Sequence, residues 1–260
     1  MKHPSILAIL SLALITASTP SVYADGAVAP KADAILRQMS ATLGAAKQFT
    51  FVASREMDPT VAKKLGQQTK TRYEVSAQRP GKLFAHSKSP GDVRDLIADG
   101  KQLTLLDVKE NLYSTVPMAA SLDTLPAELS KKYGFAPPLA EFVSNNPYQS
   151  VLARTQSISY LGTASLHSGF LGLNSVKCDR IALVGAMADA ELWIGVADHL
   201  PKKLTAILKG ETSVGLKLTF SDWNLAASPN TQTFTFTAPS GAVKVPMMTT
   251  TEIQTALKTK

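Results

Sequence analysis

The segment Leu96-Ile97-Ala98-Asp99-Gly100-Lys101-Gln102-Leu103-Thr104-Leu105 reads as a β-hairpin. Two apolar runs flank Asp99-Gly100, a pair that supplies the positive φ angles a tight turn between twisted antiparallel strands requires. Outward from this hairpin the same period of two recurs. Upstream, Phe49 to Ala53, Arg72 to Val75 and, after Arg79-Pro80-Gly81, Lys82 to His86 all alternate; downstream, Lys109-Glu110-Asn111 turns the chain into Leu112 to Val116. Such runs, rich in β-branched and aromatic residues, predict consecutive antiparallel strands.

Two regions break the period. Ala32 to Ala46 carries Ile35, Leu36, Met39 and Leu43 at three- and four-residue spacing, with Asp33 available as N-cap and Gly44 near the end. That pattern predicts an amphipathic helix. In the middle of the chain, Ser121 to Lys132 predicts a second helix, capped by Ser121 or Asp123 and stopped by Gly134. Pro137-Pro138 then opens a shorter piece, Leu139 to Val143, and Pro147 another through Leu152, since proline favours the first helical turn. Strands resume at Ile158 to Leu161, Val176 to Leu183, Ala190 to Val196, Lys203 to Leu208, Leu216 to Phe220 and Thr233 to Thr237. Residues 246–260 read as a polar, frayed tail. With no internal repeat and no linker long enough to divide domains, residues 25–245 form one α+β domain: a large antiparallel sheet with helices on one face.

Residues 1–24 have the three parts of a secretory signal peptide: a basic start at Lys2, an apolar run from Ile6 to Ala17, and the small-residue exit Val22-Tyr23-Ala24. Cleavage is expected after Ala24, by a Sec-type route into the periplasm. The apolar run is interrupted by Ser11 and Thr16, broken by Pro20, and shorter than the roughly 20 residues that span a bilayer. An uncleaved anchor is the alternative, and the rest of the chain offers no transmembrane segment.

Cys178 is the sole cysteine, so no internal disulfide can form even in an oxidising compartment, and it reads as a small buried side chain in a strand. The formal net charge of +7 is spread out, with pairs only at Lys63-Lys64, Lys131-Lys132 and Lys202-Lys203. No basic stripe marks a nucleic-acid partner. A weak attraction to anionic lipid head groups and a merely basic soluble surface both fit this spread.

Chemistry is sparse. His86, His167 and His199 show no metal-ligand spacing and read as surface or strand-end residues. Ser165-Leu166-His167-Ser168-Gly169 lacks the geometry of a nucleophile elbow and reads as a loop turn. Glycosidase chemistry needs two facing carboxylates, whereas Asp99, Asp107, Glu191 and Asp222 stand where turns and strand ends ordinarily place acids. No phosphate-cradling glycine loop occurs, and no cofactor is expected.

Several ordered pieces resemble one family of exported bacterial proteins, domain-of-unknown-function family 2092. They are Arg79-Pro80-Gly81-Lys82-Leu83; Leu96 to Asp107; Asn111-Leu112-Tyr113; Tyr133-Gly134 with Pro138-Leu139; Pro147-Tyr148; Tyr160-Leu161-Gly162; Val176-Lys177-Cys178-Asp179; Leu192-Trp193-Ile194 followed by Leu200-Pro201-Lys202-Lys203-Leu204; and Ser221-Asp222-Trp223-Asn224-Leu225 with Phe234 and Phe236. The likeness spans about Lys31 to Val245. Gly169-Phe170-Leu171-Gly172-Leu173 departs from it as a longer loop than expected, which leaves the register of the strand at Cys178 open. The family stands near periplasmic lipoprotein carriers of the LolA, LolB and LppX type. The resemblance implies a strongly curved, unclosed antiparallel barrel with helices plugging its mouth, and it supplies no defined activity.

What remains is apolar area. Phe49 and Phe51, Tyr73 and Val75, Leu103 and Leu105, Leu192 and Ile194, Leu216, Leu218 and Phe220, and Phe234 and Phe236 are expected to share one face by strand parity. Phe135, Leu139 and Phe142 lie on the helical pieces that would cover it. A filled core is one reading. The other is a cavity for a lipid or the acyl chains of a lipoprotein, lined by Phe51, Tyr73, Leu103, Leu105, Phe135, Leu139, Phe142, Leu192, Ile194, Leu218 and Phe220, in a binding protein without catalysis. An envelope module that senses or scaffolds another protein is the alternative function, with an unrecognised hydrolase third.

Overall fold

The computed structural model describes residues 28–64, 66–118, 121–135, 139–168, 174–210 and 214–258. The expected signal peptide at 1–24, the Pro137-Pro138 pair and residues 169–173, expected as a long loop, lie outside the described residues.

Helix α1, Pro30–Ala45, opens the fold and buries Leu36, Met39 and Leu43. The expected cap is corrected: Ala29 occupies that position without a side-chain hydrogen bond, and Pro30 starts the first turn. Asp33 sits one turn inside, where a carboxylate favours the positive end of the helix dipole. Strands β1 (Gln48–Met57), β2 (Lys70–Gln78), β3 (Lys82–Ser89), β4 (Asp92–Asp99), β5 (Gln102–Asp107) and β6 (Leu112–Pro117) follow, with a short helix α2, Pro59–Lys64, between the first two. The β4–β5 ladder closes on Ala98–Leu103. Of the two turn residues only Gly100 takes a positive φ, at 94°. Asp99 contributes its side chain instead, accepting the amide hydrogens of Lys101 and Gln102 at 2.7 Å each.

The middle of the chain holds α3 (Leu125–Tyr133), α4 (Ala140–Val143) and α5 (Pro147–Leu152). Gly134 ends α3 in the left-handed conformation, φ 73°, which glycine alone adopts without a Cβ penalty. α3 starts later than expected, at Leu125. Neither Ser121 nor Asp123 caps it, because the Asp123 carboxylate is taken by Asn145, whose backbone and side-chain nitrogens both donate to it at 2.6 Å.

A second meander consists of β7 (Ser157–Ser168), β8 (Asn174–Val184), β9 (Ala188–Gly195), β10 (Pro201–Leu208) and β11 (Val214–Asn224). The β7–β8 register shifts between Tyr160 and Gly162 and then runs unbroken to Ser168–Asn174, so the stretch Ser165–Ser168, expected as a turn, is strand. The chain then crosses over the sheet. Thr233 to Thr237, expected as a strand, instead contains a 3-10 turn at Thr231–Phe234. A two-residue strand β12, Val243–Lys244, lies parallel to β6, and the polar tail forms a helix, α6, Thr250–Lys258. Thr249 and Glu252 cap that helix reciprocally, each side chain accepting the other's backbone N–H.

All twelve strands of the described residues join one sheet in the order β12-β6-β5-β4-β3-β2-β1-β11-β10-β9-β8-β7. The first strand is therefore internal, flanked by β2 and by β11. The sheet is antiparallel apart from β12, and it is not closed, since β7 and β12 are its outermost strands.

Candidate functional site

Register lines up the apolar side chains on the face that the helices cover. One row across the sheet runs Phe51, Val75, Ala85, Leu96 and Leu105; the next runs Phe49, Ala77, Leu83, Ala98, Leu103 and Val116. Phe220 pairs with Ala53 on the other flank. A bulge lies in β11, where the β1 pairing shifts between Thr50 and Val52 and Asp222 adopts φ 55°. An added residue reverses side-chain parity, so Trp223 joins Phe220 on the inner face although it stands three residues on. Its ring stacks on Phe51 at 4.3 Å between centroids, and its indole N–H donates to the Pro201 carbonyl at 3.0 Å. Strict alternation misses Trp223; the signal for it was the aspartate in front, a residue that tolerates the left-handed region.

The cover over this face is made of short pieces. Leu122, Leu125 and Leu129 around α3, Phe135, and Leu139, Phe142 and Val143 at α4 are buried in the same core. Phe142 rests on Phe220 with centroids 4.6 Å apart. Arg79 clamps one end. Its Nη1 donates to the carbonyls of Leu43 and Ala46 at the end of α1, its Nη2 donates to the Ser144 carbonyl at 2.7 Å, and its guanidinium lies 4.8 Å over the Phe49 ring. Burial pulls this guanidinium's pKa downward, against the opposing field of Asp123.

Ten of the eleven residues expected to line a cavity are buried, and Leu105 is partly so. The structure divides them. Phe51, Tyr73, Leu103, Leu105, Phe135, Leu139, Phe142, Leu218 and Phe220 meet beneath α3 and α4, whereas Leu192 and Ile194 belong to a second core with Ile181, Leu183 and the buried face of α1. Leu204, Trp223 and Leu225 touch both cores. On the second core α1 is held to α5 by a polar triad: Arg37 Nε lies 2.7 Å from Asp33, Arg37 Nη2 donates to the Tyr148 hydroxyl at 2.7 Å, and that hydroxyl donates to Asp33. Hydrogen bonds from Arg37 and then Tyr148 hold the Asp33 carboxyl below its usual pKa.

Phe234 and Phe236 correct the parity argument. They lie on the opposite, outer face of the sheet, where with Ile97, Thr104 and Thr115 they border a hollow of about 140 Å³. Phe236 packs on Tyr113 at 5.0 Å. A second outer hollow, of about 250 Å³, is bordered by Val52, Glu74, Phe84 and Asp222.

The polar candidates stay apart. His86 Nδ1 is 2.6 Å from Asp95 on the outer face, and His199 Nε2 is 2.9 Å from Gln38. Glu191 is 2.6 Å from Arg180, and this ion pair lowers its pKa. Asp107 accepts the Glu110 amide at 3.0 Å. Cys178 is fully buried in β8, and desolvation raises its thiol pKa. Among the described residues no group of three or more His, Cys, Asp or Glu side chains is placed to hold a metal ion, and no helix is long and apolar enough to cross a membrane.

An open antiparallel sheet with helices across one apolar face thus defines the class of protein. The chain belongs to the family described as predicted periplasmic protein, DUF2092, whose profile matches residues 32–248. A search of curated protein sequences finds no match. Among solved structures the chain is similar to an uncharacterized conserved protein from Thermus thermophilus, with 12% identity and a TM-score of 0.47, over 83% of this chain and 99% of that one. It is also similar to MucB in the MucA/MucB complex of Pseudomonas aeruginosa, at 13% identity and a TM-score of 0.43, over 80% of this chain and 62% of that one. A LolA superfamily protein from Nitrosomonas europaea gives 13% identity and a TM-score of 0.36, over 79% of this chain and 97% of that one.

Proposed function

We propose that this protein, exported to the periplasm and cleaved after Ala24, binds a lipid or the acyl chains of a lipoprotein between its sheet and the α3–α4 cover, without catalysis. One observation carries the reading: a continuous apolar sheet face is covered by helices of nine and four residues that pack on it through their apolar side chains. Neither helix is long enough to be stable by itself in water, where about 12–15 residues are marginal. Each buried cover side chain contributes about 1.5–3 kcal/mol, so the seven at the cover supply roughly 10–20 kcal/mol in total. A twelve-methylene chain supplies about 10 kcal/mol gross. These are the same order, so an acyl chain gains about as much on this sheet face as the cover does.

The experiment is extraction of the purified protein with organic solvent, together with titration by a fluorescent fatty acid. Copurified lipid or saturable binding supports the proposal; neither lipid nor binding overturns it. The burial of ten of the eleven lining residues also favours a second reading, an envelope protein-interaction or sensor module with a permanently filled core. Recovery from envelope extract of one stoichiometric protein partner, with no lipid, would establish that reading instead.

A further inference from the structure

The helix-covered face changes character at the end of β1 away from the Arg79 clamp. Two residues beyond Ala53 the inward side chain is Arg55, which pairs in register with the buried Thr71 on β2. Ser89 donates to Thr71 Oγ1 at 3.0 Å, and one row closer to the core the sequence across the strands is Tyr73, Ser87 and Arg94. The apolar rows of Phe51 and Phe49 therefore give way to hydroxyls, guanidinium groups and the carboxylates of Asp92 and Asp107, which continue the two rows along the same surface.

The two arginines differ. Arg94 is neutralised by Asp92 at 2.9 Å and by Asp107 at 3.9 Å. Arg55 has no ion pair among the described residues. One Nη donates to Thr71 Oγ1 at 3.1 Å and reaches the Gln68 carbonyl at 3.5 Å, and its buried Nε has no acceptor. Arg79 also leaves Nε unmet, but its charge faces three carbonyl oxygens. An uncompensated guanidinium with a donor shut away from water is a poor arrangement unless an acceptor arrives, and the guanidinium fork suits an anion with two oxygens.

We propose that Arg55 receives the anionic head group of an amphiphile, a carboxylate or a phosphate, whose acyl chain lies along the inner face toward Phe51 and Phe49. The assignment rests on the interior accepting an acyl chain, as proposed above. From Arg55 to Phe49 the strand runs about 20 Å, room for an extended long chain with its head beside Thr71 and Ser89.

The test is displacement of a neutral apolar dye from the purified protein by hexadecanoate, hexadecyl phosphate and hexadecanol. The two anions are expected to compete about tenfold better than the alcohol, the preference one charge-assisted hydrogen bond gives, and the ratio between the two anions identifies the head group. In Arg55→Gln the anions should fall to the level of the alcohol while the alcohol itself is unchanged. Arg55→Lys should restore part of the preference, and melting curves confirm that both variants fold. An alcohol that binds as well as the anions, or an Arg55→Gln protein that keeps the preference, overturns the head-group assignment and leaves acyl-chain binding intact. Failure of all three compounds and the dye to bind the unaltered protein defeats both proposals together.

Discussion

Arg79 stands where α1 ends, the β2–β3 turn begins and α4 passes into α5, and its guanidinium is the common donor for backbone carbonyls from the two helical regions. Replacing it by methionine keeps most of the stem and removes every donor, so carbonyls in a half-buried site lose their partner. Arg79→Met should lower the unfolding free energy by about 2 kcal/mol, read from urea denaturation; a change within about 0.5 kcal/mol, the range of ordinary surface substitutions, would show that water replaces the guanidinium at no cost. Asp33 governs an acid limb. Its folded pKa is depressed by Arg37 and Tyr148, so the carboxylate's contribution is complete above the ordinary carboxylate range and disappears as pH falls through the depressed folded value. Asp33→Asn should therefore lower the melting temperature at pH 7 and flatten its decline below about pH 4. An equal acid decline in both proteins would assign that limb to other groups.

At the scale of elements, the bulge at Asp222 turns Phe220 and Trp223 onto the same face. A β-branched residue there meets the left-handed penalty of about 1–2 kcal/mol. Asp222→Val, made in a Trp193→Phe background so that Trp223 alone reports, should lose that much stability and shift indole emission to longer wavelength as the stack on Phe51 loosens. Unchanged emission would mean that the parity shift does not depend on this residue. The same bulge explains what was legible in the sequence. Alternation found Phe49, Phe51, Tyr73, Leu103, Leu218 and Phe220, because each lies on a stretch that keeps a period of two, the last two on the part of β11 before its bulge. It could not find Trp223, whose position depends on one extra residue, and it misplaced Phe234 and Phe236. Thr233 to Thr237 alternates as well as any strand; its failure to pair follows from the chain's crossing to the outer face, which local pattern does not encode. Parity assigns a face along each strand but not a position across twelve of them, so Leu192 and Ile194 could not be separated from the core beneath α3 and α4.

On the scale of the whole molecule, both sheet borders take a short parallel pairing, β7 from Val28 at Ile158 and β6 from β12. β6 is sealed by the returning C-terminal segment: Val243 donates to the Asn111 carbonyl at 2.9 Å, Val245 donates to Tyr113 at 2.8 Å, and Ser114 donates its hydroxyl to the Val245 carbonyl at 2.6 Å. Ending the chain at Ala242 uncovers that edge, a template for strand addition. The shortened protein should retain strand circular dichroism and associate as concentration rises, read by sedimentation; a monomer at every concentration would show that β12 and α6 are dispensable for solubility.

The internal position of β1 has a further consequence in time. A chain that emerges amino end first presents β1 early, and β2 to β6 can zip onto one side of it as each hairpin appears. The other side waits for β11, residues 214–224, the last strand of the second meander. Until then a strand destined for the middle of a wide sheet has a bare flank bearing Phe49 and Phe51. Such late, distant pairing is intrinsically slow, so closure of the β1–β11 ladder is expected among the last steps of folding.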